Sequence, residues 1–145
     1  MPDILIGSDA QWVHDEVVQV LRGPDMTSRW VRSGPAVLDA VKAKAPDLCV
    51  LDLQIGSMGA FAVTLDLHLE AGIGRLPHVP VLVLLDRRAD VFLCRRSEVE
   101  GWVLKPLDPI RLRKAITSLL AGGTYHDETF KPSTLEPEAA SASGV

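Results

Sequence analysis

The sequence has few of the residues from which disulfide frameworks and metal sites are built. Its 145 residues include two cysteines, Cys49 and Cys94, without a paired ligand spacing, and four histidines scattered along the chain. A disulfide framework and a zinc site are therefore both disfavoured. This usage of cysteine fits reduced thiols, and we predict a cytoplasmic protein.

Several other features are also missing. The chain opens without a basic, apolar leader, and no apolar run reaches the length that spans a membrane. A net charge of −4 disfavours a general nucleic-acid binder, which needs a basic surface to displace counterions from phosphates. Neither a glycine-rich phosphate loop nor a serine or cysteine nucleophile motif is present, which disfavours an unrelated small α/β enzyme or flavin binder.

What the chain does contain is a regular alternation of strand and helix patterns. Four short apolar segments predict strands at residues 4–6, 48–52, 81–85 and 102–104, and residues 27–31 can form a further strand, the second in chain order. A helical pattern follows each of them, for example the spacing of Phe61, Leu65 and Leu69. Strands that alternate with helices pair in parallel, with helices on both faces of the sheet. We predict a doubly wound, flavodoxin-like α/β fold whose five-stranded parallel sheet has the order 2-1-3-4-5.

The composition changes near the C-terminus. Residues 1–121 are predicted to form one compact domain. Residues 122–145 are rich in Gly, Ser, Glu and Pro, a composition that cannot build its own core. We predict a flexible C-terminal tail, which is too short to hold a DNA-binding domain.

Two acidic residues stand at strand ends that this strand order brings together. Asp52 ends the third predicted strand, and Asp9 follows the first. The loops after these two strands face each other at the switch point of the sheet, where open α/β proteins bind ligands. Taken alone, Asp52 is more typical of an ordinary loop or capping aspartate than of a functional residue.

Four segments, in order, resemble the receiver domain of bacterial response regulators: ILIGSD, PDLCVLDLQIGSMGA, PVLVLLD and GWVLKPLDP. The resemblance covers about residues 3–121. It implies that Asp52 accepts a phosphoryl group in a two-component phosphorelay, and that Asp9 helps to bind Mg²⁺. It also implies that Lys105, joined to Pro106 by a cis bond, contacts the phosphoryl oxygens. Such a protein signals and is not an enzyme, apart from slow autodephosphorylation.

The chemistry of phosphoryl transfer explains these residue types. Transfer to a carboxylate depends on positioning and on neutralising charge. Magnesium prefers oxygen ligands, which Asp9, Asp52 and the backbone carbonyl of Gln54 would supply. Lys105 would add a fixed positive charge.

The sequence departs from the family pattern at several positions. Ser8 replaces the first acid of the usual acidic pair and fits a capping box with Gln11, so metal affinity is expected to fall. Leu85 replaces a threonine or serine and cannot donate a hydrogen bond. Asp86 would oppose a phosphoryl group unless it turns outward as a helix cap. Gly56 replaces a common proline, which predicts a more mobile loop.

Output is expected through surfaces of the domain. Trp102 fills the aromatic switch position, either as a packed core residue or as a moving reporter. A basic face is predicted beside the fifth strand from Arg87, Arg88, Arg95, Arg96, Arg111, Arg113 and Lys114. This face is an ordinary solvated surface, a site for an acidic protein or, as the least favoured alternative, a site for nucleic acid.

Two functional hypotheses follow. The first is a stand-alone receiver that is phosphorylated at Asp52. The second, favoured by Ser8, Leu85 and Asp86, is a receiver-like interaction scaffold that works without phosphorylation. The predicted partners are a sensor histidine kinase or phosphotransfer protein and an unknown protein target, with a possible homodimer and neither a DNA-binding domain nor a membrane.

Overall fold

Strands and helices alternate through the computed structural model, which describes residues 2–21, 25–55 and 59–127. The strands are β1 (Asp3–Gly7), β2 (Thr27–Val31), β3 (Leu48–Asp52), β4 (Val81–Leu85), β5 (Gly101–Leu104) and β6 (Tyr125–His126). The α-helices are α1 (Gln11–Val20), α2 (Gly34–Ala43), α3 (Ala60–Gly72), α4 (Val91–Ser97) and α5 (Pro109–Leu120). A single 3₁₀ turn, Arg88–Asp90, precedes α4. No helix within these ranges is long and apolar enough to cross a membrane.

The strands form one parallel sheet with the order β2-β1-β3-β4-β5-β6. The predicted α/β fold and the order of its first five strands are confirmed. The sixth strand was not predicted, because Tyr125 and His126 fall within the segment expected to be a flexible tail. Residues 128–145 lie outside the described residues.

The core lies on both faces of the sheet. Every residue of β1, β3 and β4 is buried, as unbroken apolar runs predict for central parallel strands. Successive side chains point to opposite faces, so Leu5 and Leu51 pack in one apolar cluster while Ile6 and Val50 pack in the other. The helices cover both clusters, and this arrangement leaves the strand ends as the open edge of the sheet.

Helix α3 buries a different face from the one its sequence suggests. Leu65 and Leu69, which the pattern groups with Phe61, are 59% and 56% exposed. The buried residues of this helix are instead Ala60, Val63, Thr64 and Leu67. Since apolar residues occur all round α3, spacing alone cannot decide which side faces the sheet.

The two cysteines lie in the core as free thiols. Cys49 belongs to β3 and Cys94 to α4, and neither is exposed. Burial raises the pKa of each thiol to about 12, because the thiolate is disfavoured away from water. Both side chains are therefore unreactive packing residues.

Candidate functional site at the end of the central strands

The parallel register brings four strand ends to one edge of the sheet. Gly7 of β1 pairs with Leu51 of β3, so that Ser8 and Asp52 follow side by side. Leu85 of β4 pairs with Leu104 of β5, and Asp86 and Lys105 come next on those strands. We call the four residues Ser8, Asp52, Asp86 and Lys105 the Asp52 site.

Asp52 lies at the bottom of this site and is only 3% exposed. The Ser8 hydroxyl donates a hydrogen bond of 2.9 Å to its Oδ2 atom. The Lys105 ammonium donates one of 2.8 Å to Oδ1, and the backbone N–H of Gln54 donates a longer one of 3.4 Å to the same atom. Both carboxylate oxygens therefore have a donor, which satisfies a buried acid.

Lys105 is positioned by its backbone as well as by its side chain. Its N–H donates to the Leu85 carbonyl at 2.8 Å, and its bond to Pro106 is cis, as the resemblance implied. The ammonium also lies 5.4 Å from the centre of the Trp12 ring, within the range of a cation–π contact. Trp12 is half exposed, which makes it a spectroscopic reporter beside the site.

The predicted capping box at Ser8 is wrong. Helix α1 begins after Ala10, and no side chain caps its first turn. The Ser8 oxygen instead accepts the N–H of Ala10 at 3.1 Å and donates to Asp52. Ser8 stands at the end of β1, two residues before the cap, and there its side chain faces the neighbouring strand rather than the helix. Its carbonyl is also held by the Trp30 indole N–H at 2.9 Å.

Asp86 does not take the capping role, one of the two roles that the sequence suggested for it. It does not cap the following 3₁₀ turn, whose cap is Arg87. Its Oδ1 atom accepts a hydrogen bond of 2.9 Å from the Lys105 ammonium. Sequence reasoning missed this ion pair, although the register of β4 and β5 was the signal that could have found it.

The Lys105 ammonium therefore binds two acids at once. Burial alone would lower the pKa of Lys105, but the hydrogen bonds and charges of Asp52 and Asp86 outweigh it and raise that pKa above its ordinary value. Lys105 is accordingly a firmly charged cation at neutral pH.

The three predicted metal ligands lie at the same edge but differ in burial. Asp9 follows Ser8 and is exposed, as is the side chain of Gln54, whereas Asp52 is buried. Among the described residues, no group of three or more His, Cys, Asp or Glu side chains could hold a metal ion. The expected set differs from such a group, because it combines two carboxylates with a backbone carbonyl. Gly56, where a mobile loop was predicted, lies outside the described residues.

Two further departures concern the ends of β4 and β5. Leu85 is fully buried and supplies no hydroxyl to the site. Trp102 is 2% exposed and stacks on the His126 ring with 4.2 Å between ring centres. Its indole N–H donates to the Asp127 carbonyl at 3.3 Å. The sequence suggested that Trp102 is either a packed core residue or a moving reporter. In this structure it is a packed core residue, in contact with His126 of β6.

The arginines of the predicted basic face, on and just before α4 and on α5, each contact a different group. Arg87 forms an ion pair with Asp90 at 3.2 Å. Arg95 lies over the Trp102 ring, with 5.8 Å from its Cζ atom to the ring centre. Arg113 reaches a main-chain carbonyl at the end of α1 at 3.5 Å. The predicted basic face is thus divided among several neighbouring groups.

The sequence matches the model of a known protein family. Residues 4–117 match the response regulator receiver domain. The chain belongs to this family. Receiver domains are signalling proteins of two-component systems rather than enzymes in the usual sense, and they generally bind Mg²⁺ at an acidic pocket.

Relatives of this receiver domain are of two sizes. The response regulatory protein Rv3143 of Mycobacterium tuberculosis is 32% identical over 132 residues, which cover 83% of this chain and 96% of the relative. The DNA-binding response regulator MtrA of Mycolicibacterium smegmatis is 30% identical over 111 residues, which cover 75% of this chain but 46% of MtrA. The receiver domain therefore matches about half the length of MtrA.

Solved structures support the fold. The chemotaxis response regulator CheY4 of Vibrio cholerae has a TM-score of 0.71 and 18% identity, covering 81% of this chain and 97% of CheY4. The isolated REC domain of RcsB from Salmonella enterica, solved with the phosphomimetic BeF₃⁻, has a TM-score of 0.72 and 17% identity, covering 88% of this chain and 94% of that one. At these identities the comparisons establish the architecture of the receiver domain.

The comparisons correct the partners predicted from the sequence. That prediction named a histidine kinase or phosphotransfer protein, an unknown protein target and a possible homodimer, and it excluded a DNA-binding domain. MtrA is named as a DNA-binding response regulator, and a structure of RcsB from Salmonella typhimurium is described in terms of DNA interaction. The prediction is wrong because it was drawn from length and net charge. Neither property of a receiver domain decides which kind of partner its response regulator binds.

Proposed function

We propose that this receiver domain accepts a phosphoryl group on the Asp52 carboxylate. The observation that carries the proposal is the contact of 2.8 Å between the buried Asp52 carboxylate and the partly buried Lys105 ammonium, at the open edge of the sheet. An acid and a fixed cation in this relation are what phosphoryl transfer to a carboxylate requires. Stabilisation of the fold does not by itself account for this ion pair, because removing two charges from water costs free energy that can cancel their attraction.

The proposed reaction is a substitution at phosphorus. With acetyl phosphate as donor, a carboxylate oxygen of Asp52 forms a new P–O bond, the bond from phosphorus to the acetyl oxygen breaks, and acetate leaves with the electron pair. Lys105 donates hydrogen bonds to the phosphoryl oxygens and offsets their charge. The product is an acyl phosphate on Asp52, which water can hydrolyse slowly.

We infer that Mg²⁺ would be held by Asp9, Asp52 and the backbone carbonyl of Gln54. These donors are oxygens, the type that Mg²⁺ accepts, and all three belong to the edge where β1 and β3 end. A bound Mg²⁺ would supply charge neutralisation. Ser8 contributes a neutral hydroxyl where the family has a second acid, so we expect the metal to bind weakly.

A second candidate function is a scaffold that binds partners without phosphorylation. The hydrogen bond from Ser8 to Asp52 favours it, because the hydroxyl satisfies an oxygen that a cation would otherwise neutralise. Leu85 adds to this argument, since it offers the phosphoryl group no donor. We place phosphorylation first because Asp9, Asp52 and Lys105 are all present.

We also infer that the phosphorylated state signals through contacts of the domain surface with another macromolecule. The ends of β4 and β5 carry Asp86 and Lys105, so a change at Asp52 reaches that side of the domain directly. A cytoplasmic location remains a prediction.

Phosphorylation can be tested by intact mass. The purified protein is incubated with magnesium and acetyl phosphate, beside Asp52→Asn and the matched control Asp39→Asn, which changes an exposed acid of α2. We expect an acid-stable, base-labile adduct of one phosphoryl group on the wild type and on Asp39→Asn only. An adduct on Asp52→Asn contradicts the proposal, because the phosphoryl group would then lie on another residue. The absence of an adduct on the wild type with either acetyl phosphate or phosphoramidate also contradicts it and supports the scaffold.

A further inference from the structure

Asp86 and Lys105 are fixed beside each other by the sheet. Leu85 and Leu104 pair across β4 and β5, and the Lys105 N–H donates to the Leu85 carbonyl at 2.8 Å. The next residues on the two strands are Asp86 and Lys105, and their side chains meet at 2.9 Å. Their contact thus follows from the strand register, not from the chance position of a long surface side chain.

The Lys105 ammonium lies between a deep acid and an outer one. The side chain of Asp52 is 4% exposed, that of Lys105 is 12% exposed and that of Asp86 is 36% exposed. An ammonium has three N–H donors, and these two acids use two of them. The ion pair with Asp86 is nearer to solvent than the pair with Asp52, so Asp86 is the acid that another anion can more easily replace.

Phosphorylation would change what the ammonium must neutralise. Before it, the two carboxylates and the ammonium leave one negative charge in excess. The phosphoryl group carries about two negative charges in place of the single charge of the Asp52 carboxylate, so the site gains about one negative charge and the group needs the same donors. Lys105 has a third N–H donor, but it has a single positive charge, so the more of that charge Asp86 neutralises, the less remains for the phosphoryl oxygens.

We propose that Asp86 is a positioning residue that competes with the phosphoryl group for the Lys105 ammonium and so weakens phosphoryl binding at Asp52. This inference rests on the proposed function. It assigns a role to Asp86, the acid that follows the end of β4. Asp86 itself does not touch the phosphorus atom and takes no part in bond making.

The test measures binding of BeF₃⁻ with magnesium, the phosphoryl mimic present in the RcsB structure, by fluorescence of Trp12. Wild type is compared with Asp86→Asn, with Asp86→Glu, and with Asp39→Asn, which changes the net charge equally at a distance. We expect Asp86→Asn to bind on the order of tenfold more tightly, because the partly exposed Asp86 side chain acts through a largely water-like dielectric that screens most of its charge. Asp86→Glu, which keeps the charge, and Asp39→Asn should both stay near the wild-type value.

A second readout separates competition for Lys105 from direct repulsion. Asp86→Asn is also made in the Lys105→Met background, and BeF₃⁻ binding is measured there in the same way. Competition predicts that Asp86→Asn no longer changes the affinity, because the ammonium for which Asp86 competes is gone. An equal gain in both backgrounds would mean simple repulsion and overturns the proposal.

The remaining outcomes are also decisive. Equal BeF₃⁻ affinity in wild type and Asp86→Asn overturns the role of Asp86 and leaves the proposed function intact. Weaker magnesium binding in Asp86→Asn overturns it as well, since Asp86 would then be a metal ligand. If neither protein binds BeF₃⁻ and neither is phosphorylated, the proposed function itself fails. Binding by Asp86→Asn alone supports the inference most strongly.

Discussion

Replacing Ser8 with aspartate tests whether its hydroxyl stands where the family has a second acid. The Ser8 oxygen lies 2.9 Å from Oδ2 of Asp52, so Ser8→Asp puts a second carboxylate within about 4 Å of the first. At an effective dielectric constant of about 20, two such charges repel by about 4 kcal/mol. Lys105 remains on the other oxygen of Asp52 and offsets part of this. Without magnesium, we expect the free energy of unfolding to fall by roughly 1–3 kcal/mol.

Magnesium should reverse that loss. A divalent cation between two carboxylates removes their repulsion, and we expect its affinity to rise by about tenfold, which corresponds to about 1.4 kcal/mol. Because a ligand that binds only the folded state stabilises it, the variant should depend on magnesium for stability much more than the wild type does.

The assay is urea denaturation in excess MgCl₂ and in EDTA, together with a magnesium titration followed by Trp12 fluorescence. Ser8→Ala is the matched control, since it removes the hydrogen bond to Asp52 without adding a charge. The reasoning is refuted if Ser8→Ala gains as much magnesium affinity as Ser8→Asp, or if Ser8→Asp is no less stable than wild type in EDTA.

Two further predictions concern stability. Lys105→Met should lower the free energy of unfolding by about 1–3 kcal/mol, because it leaves the buried Asp52 without its charged donor. The raised pKa of Lys105 means that the stabilisation of the wild type by the Lys105 ammonium is fully present below the unfolded pKa of about 10.5. This stabilisation is lost as the pH rises through the folded pKa. Urea denaturation should therefore show a constant difference in the free energy of unfolding between variant and wild type from pH 7 to 9, and this difference should narrow as the pH rises through the folded pKa of Lys105; a difference that widens there is contrary to this assignment. Asp127→Ala should cost about 1–3 kcal/mol, since the Asp127 carboxylate accepts the Leu104 N–H at 2.9 Å, and should speed hydrogen exchange of that amide. Asp127→Asn keeps an acceptor and should cost less, so equal losses in the two variants would argue against this explanation.

Local sequence signals predicted the parts of the site that depend on neighbours in the chain. Asp108 followed by Pro109 predicted the start of α5, and the Asp108 side chain does accept the Ile110 N–H at 2.9 Å. The Lys105–Pro106 pair, read through the family resemblance, predicted the lysine beside Asp52. Each of these signals lies within a few residues of the feature that it predicts.

Contacts between distant segments were harder to predict. The Ser8 hydroxyl could cap a helix or face the next strand, and the local pattern favoured the cap. Asp86 has a partner nineteen positions further along the chain, which becomes visible only when β4 and β5 are aligned. On α3, Leu65 was grouped with the apolar stripe although the sheet contacts another face.

The amino-acid sequence by itself determined the alternation of strands and helices, the burial of the central strands and the presence of an acid and a lysine at strand ends. These follow from side-chain polarity and local backbone preference. Only the tertiary structure decided that Ser8 and Lys105 share the two oxygens of Asp52, that Asp86 holds the same lysine, and that β6 covers Trp102. Those contacts depend on the register between strands, which long-range packing sets and no short stretch of sequence contains.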